Sequence, residues 1–149
     1  RDKAFSGKLR KETEGELERL ELYKAPLYGP KNTVNPVDFI GKHREWKGKT
    51  INLPPDLQGG HVFAFKVEDT AMAPRYNPGN LLFCDLNLVL EEGKPVVACV
   101  KGQVFCRIYE TQGKEARFKA WDPKVKVVSV LKRNVQWLYR VSRRESDER

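Results

Sequence analysis

At His61 the hydrophobic pattern of this chain changes, and no other feature constrains its fold as much. From there on, short apolar runs alternate with turn signals, at 62–67 (VFAFKV), 81–85 (LLFCD), 96–100 (VVACV), 103–109 (QVFCRIY), 115–121 (EARFKAW), 126–131 (KVVSVL) and 135–141 (VQWLYRV). Runs of this length, rich in β-branched and aromatic residues and bounded by Gly, Pro and Asn, read as strands. Seven in succession predict a mainly β domain over 61–141, built as a sandwich or a partly open barrel. Lys101-Gly102 is the expected tight hairpin, because Gly accepts the positive φ such a turn demands. Asn77-Pro78-Gly79-Asn80 has the composition of a second turn.

Upstream the pattern differs. Residues 8–24 (KLRKETEGELERLELYK) are rich in Glu, Lys and Arg, with Leu9, Leu17 and Leu20 along one stripe, which predicts a mostly exposed helix and a helical connector over 1–24. From 25 to 60, Pro26, Pro30, Pro36, Pro54 and Pro55 with interspersed glycines interrupt every period, so this stretch is expected to be a linker or extended arm. Phe39 and Trp46 are too apolar for a free tether, and part of the arm is expected to lie on the domain that follows. Residues 142–149 read as a polar tail. A chain of 149 residues holds one ordinary domain with an appendage. No apolar run approaches the ~20 residues that a spanning helix needs. The chain opens on Arg1, without an initiator Met or an apolar signal segment, and we expect a fragment or processed chain with something missing upstream.

Charge and cysteine usage narrow the function classes. The net charge is +8, and residues 114–144 hold ten Lys and Arg against only Glu115 and Asp122. Such a segment is either a solvated face or a footprint for phosphates; Lys124, Lys126, Lys132 and Arg133 are the candidate nucleic-acid contacts. Cys84, Cys99 and Cys106 sit inside apolar runs without any Cys-x-x-Cys or Cys/His spacing, and read as reduced, buried thiols of a cytoplasmic protein. Neither His43 nor His61 has a close second ligand, so no metal and no cofactor is expected.

The most informative stretch is Phe65-Lys66-Val67-Glu68-Asp69-Thr70-Ala71-Met72-Ala73-Pro74, followed by Asn77-Pro78-Gly79-Asn80-Leu81-Leu82. Further on come Gly93-Lys94-Pro95-Val96-Val97-Ala98 and the hairpin through Val104-Phe105-Cys106-Arg107-Ile108. In order and spacing these resemble the signature of the LexA/UmuD/phage-repressor family of self-cleaving peptidases, over roughly 61–141. The resemblance implies a LexA-like or signal-peptidase-like β fold.

It also implies chemistry that this sequence lacks. Members of that family cut a bond in their own linker with a Ser-Lys dyad, in which a neutral, desolvated lysine takes the serine proton. The position matching the serine is Ala71, just before Met72, and the position matching the lysine is Arg107. A methyl group is no nucleophile, and an arginine stays protonated. A one-residue shift would bring Cys106 to the lysine position, which is no better as a base, and Lys101 falls in the hairpin turn. Asp69 replaces the glycine usual two residues before the serine, and no Ala-Gly or Cys-Gly dipeptide precedes residue 61. No other nucleophile turn or phosphate-binding glycine loop appears.

The resemblance therefore leads us to expect a pseudo-peptidase: a non-catalytic dimerisation and regulatory domain of a repressor-like transcriptional regulator. It would act as a homodimer and reach operator DNA through a missing N-terminal helix-turn-helix module, with no membrane partner. Trp137, Leu138 and Tyr139 are the candidate dimer interface, ordinary core being the other reading of the same residues. The alternative is a Ser-Lys self-cleaving peptidase captured as an inactive serine-to-alanine variant.

Overall fold

The computed structural model describes residues 23–39 and 45–145. All seven expected strands are present: β3 (Val62–Lys66), β4 (Leu81–Asp85), β5 (Lys94–Val100), β6 (Gln103–Gln112), β7 (Glu115–Lys119), β8 (Val128–Leu131) and β9 (Val135–Arg144). Two more precede them, β1 (Lys24–Tyr28) and β2 (Thr50–Asn52). The fold is mainly β, as expected. The nine strands form one open mixed sheet in the order β2-β1-β3-β4-β9-β5-β6-β7-β8, with β2 and β8 at opposite edges. Among the described residues the only parallel contact is β1 beside β3.

The helix expected over 8–24 lies outside the described residues except at its end, where Lys24 opens β1. The arm is part of the sheet. Pro26 is fully buried and faces Thr50 across the β1–β2 ladder, while Leu27 N donates to Lys49 O at 2.9 Å. A bidentate pair from Arg143 to Asp56, at 2.6 and 2.7 Å, ties the arm's far end to β9. That strand runs on to Arg144, through residues expected to be tail.

Alternation explains how an open sheet buries a core. Phe63, Phe65, Leu82, Cys84, Val97, Cys99, Val104, Cys106, Trp137 and Val141 lie on one face and pack with Tyr28, Met72 and Tyr76. The intervening residues of β5, Val96, Ala98 and Val100, pack with Phe118, Ala116 and Val130. Those of β3, Val62 and Ala64, pack under the arm with Ala25, Leu53 and Phe83. The sheet is thus apolar on both sides at its centre, so β5 is buried from Pro95 to Val100. Each large side chain fully removed from water contributes ~1.5–3 kcal/mol. The Lys101-Gly102 hairpin forms as expected, with φ of 52° and 74°, and Gly79 turns at φ 94° before β4.

Candidate functional site

The loop between β3 and β4 is pinched at its base, where Val67 N donates to Asn80 O at 2.9 Å and Gly79 N to Val67 O at 2.8 Å. Inside it, Met72 and Tyr76 plug into the main core, and Tyr76 N donates to Met72 O at 2.9 Å. These anchors fix Ala71 between them. Its N–H donates to Asp69 Oδ1 at 3.2 Å, its carbonyl accepts from Asp122 N at 3.0 Å, and its methyl is buried.

Arg107 approaches this loop from β6. Beyond Ile108 that strand pairs with β7, but from Gln103 to Arg107 its outer edge has no strand neighbour among the described residues. The arm crosses there instead, with Val104 N donating to Pro30 O at 3.0 Å. Between strand edge, loop and arm lies a cleft of about 510 Å³, walled by Phe65, Val67, Val104 and Phe105, with Lys31, Glu68, Asp69, Cys106 and Arg107 as its chemistry-bearing groups. The Arg107 side chain is only 12% exposed; Nη1 donates to Cys106 O at 2.7 Å, and both Nη atoms reach Asp69 Oδ2 at 3.4 Å. Its carbon Cζ lies 5.1 Å from the Phe105 ring centroid, and its Nε is buried without a hydrogen-bond partner among the described residues.

The two positions singled out in the sequence are therefore joined through a third. Asp69 accepts from the Ala71 amide with one carboxylate oxygen and from Arg107 with the other. Sequence reasoning noted Asp69 only as a lost glycine. The signal it missed was that two departures from one pattern carry opposite charges. Cys106 lines the cleft, but burial pushes its thiol up to about 12, so it holds its proton at neutral pH.

The pair is lopsided, because the Asp69 side chain is 54% exposed and the guanidinium is not. Asp69→Ala leaves a mostly buried cation without its partner and frees the Ala71 amide, and should cost about 1–2 kcal/mol. Arg107→Met fills a similar volume and leaves only an exposed carboxylate to rehydrate, so its cost should stay within about 1 kcal/mol. Urea denaturation of both variants checks the order; a larger loss for Arg107→Met would contradict it.

Elsewhere the candidate residues are dispersed. Trp137 is 5% exposed, faces the main core, and donates from Nε1 to Thr33 O at 2.8 Å. Leu138, on the opposite face, packs against the second core, and Tyr139 donates its hydroxyl to Asn35 Oδ1 at 2.6 Å. These contacts all lie within the chain. Lys124, Lys126, Lys132 and Arg133 are exposed. The three cysteines are buried and unpaired, and His61 Nδ1 meets Asn87 Nδ2 at 3.0 Å on the surface. No three potential metal ligands converge among the described residues, and no helix there is long and apolar enough to cross a membrane.

A family model described as Peptidase S24-like matches residues 35–142, which include the loop, the β6 edge and the whole cleft apart from its arm residues. No curated protein matches the chain.

Proposed function

Because the chain belongs to the Peptidase S24-like family, we propose that it is a non-catalytic member, a dimerising regulatory domain of a DNA-binding transcriptional regulator that works in the cytoplasm. The observation that carries this reading is the ion pair of Asp69 with Arg107 in the cleft, in which Asp69 also accepts from the Ala71 amide. Self-cleavage needs a hydroxyl that can attack and an amine that can shed its charge. Ala71 offers no hydroxyl, and a guanidinium in place of the lysine amine cannot serve as the base. Cys106 is a further nucleophile of the cleft lining, and its proton is retained by burial. The unpaired buried thiols suit a reducing compartment. Pairing of two copies would set the spacing and affinity of attached DNA-reading modules, which is how such a domain controls repression without chemistry.

Restoring the dyad tests the reading. Ala71→Ser, alone and together with Arg107→Lys, should leave the chain intact over many hours at raised pH when followed by mass spectrometry. The arm offers no small dipeptide of the kind such enzymes cut, apart from Gly59-Gly60 close to β3. Cleavage by the single Ala71→Ser variant would instead favour a peptidase held inactive by that one substitution. Sedimentation at micromolar concentration should find a dimer, and a monomer there would remove the regulatory half of the proposal.

A further inference from the structure

At the other end of the sheet, the turn between β6 and β7 and the end of β8 close on one another. Lys132 N donates to Lys114 O at 2.9 Å, which brings both residues and Arg133 to the rim of a concavity of about 440 Å³ completed by Gly113 and Leu131. No acidic residue lines it. Other cations of the basic segment have partners: Lys119 pairs with Glu110 at 3.7 Å, Arg140 with Glu91 at 3.1 Å, and Arg143 with Asp56. Lys114, Lys132 and Arg133 have no ion-pair partner among the described residues. The acid that senses Lys132 is Glu92, whose carboxylate is already occupied by the Thr111 amide and hydroxyl.

Beyond the far end of β8, Lys124 and Lys126 are exposed on the loop that leads into this edge strand. The four residues of β8 alone span ~13 Å between the two cationic groups at ~3.3 Å per residue, and Val127 adds to that distance. One small anion cannot touch both ends of such a row. A duplex, with a charge every ~1.7 Å along its axis, can. Lysines do guard exposed strand edges, but guards serve by standing apart in water, whereas three of these gather around a concavity.

We propose that the Lys114, Lys132 and Arg133 concavity, extended by Lys124 and Lys126, docks the phosphodiester backbone of duplex nucleic acid. The contact is made by this domain itself, independent of any upstream module and of whether the cleft is catalytic. It carries no sequence information; it positions the domain on the duplex.

The test is fluorescence anisotropy of the full 149-residue chain with a labelled duplex between 50 and 200 mM salt. Five phosphate contacts predict a log–log slope of about −4.5, which is a loss of roughly 500-fold over that range. The variant Lys114→Ala/Lys132→Ala/Arg133→Ala should flatten the slope by about 2.7. Lys24→Ala/Lys66→Ala, which removes exposed cations elsewhere, should leave it unchanged. Near-UV circular dichroism verifies that both variants are folded. Poly-glutamate, inorganic phosphate and anionic lipid vesicles at equal charge should compete far less well than unlabelled duplex. Absence of binding at 50 mM salt, an unchanged slope in the triple variant, or equal competition by any of the three competitors would overturn the proposal.

Discussion

Trp137→Ala is expected to lower the unfolding free energy by about 3–5 kcal/mol, the range for truncating a large buried aromatic. The indole stands edge-on to Tyr28 at 5.7 Å and to Phe63 at 6.0 Å between ring centroids, and stacks on Tyr139 at 5.9 Å. It joins three parts of the molecule. Its ring fills the main core from β9, its Nε1–H holds the Thr33 carbonyl, and Tyr28 beside it is a residue of β1 whose hydroxyl donates to Val34 O at 2.6 Å. Loss of the ring therefore leaves a cavity and also releases the arm that crosses the cleft. Trp137→Phe separates the two effects, since it retains most of the packing and loses the hydrogen bond, and should cost only about 1–2 kcal/mol. Thermal or urea unfolding measures both; equal losses would mean that the tie to Thr33, not the packing, dominates. Because Pro30 and Lys31 line the cleft, Trp137→Ala should also make Cys106 more reactive towards thiol reagents.

How far the fold could be read in advance depended on local periodicity. The runs at 81–85 and 103–109 alternate or cluster so plainly that no tertiary information is needed to place β4 and β6. In contrast, β1 is KAPLY, a strand with a proline at its centre, and β2 is only Thr50–Asn52. Proline is tolerated there because β1 uses other groups for pairing, such as the amide of Leu27. A strand of three residues offers no period to detect. The order of strands across a sheet depends on twist and register accumulated over many strands, which is why the place of β9 between β4 and β5 was not legible. The same distinction applies to the cleft. Ala71 and Arg107 were found by position within a pattern, but that Asp69 couples them is a fact of geometry across 38 residues of chain. Likewise Trp137 and Tyr139 invited an interface reading because their partners, Thr33 and Asn35, lie 104 residues away.

Alkaline solution should destabilise this protein much more than mild acid does. Burial raises the Cys106 thiol from 9.0 to about 12, and raises Cys84 well above the same starting value. Cys99, Tyr28, Tyr109 and Tyr139 shift in the same direction, also through burial first. Below pH 9 a thiol keeps its proton in both folded and unfolded chains, so this contribution to stability is wholly present. Above it the unfolded chain ionises while the folded one cannot. Stability then falls by up to about 1.4 kcal/mol per pH unit for each such group, until the pH passes the folded value. For Cys106 alone the loss by pH 11 is about 2–3 kcal/mol. The other thiols add to it, and the tyrosines join from about pH 10. Urea midpoints measured from pH 7 to pH 11 should therefore hold level to about pH 9 and then collapse. Cys106→Ala, at a neutral-pH cost of about 1 kcal/mol for the lost packing, should decline less steeply than the parent chain. The same proton retention makes the thiolate fraction of Cys106 at pH 8 about a thousandfold lower than that of an ordinary thiol. Its labelling in the folded protein should be slow to match, and labelling at the rate of a free cysteine would show that the thiol is not held neutral.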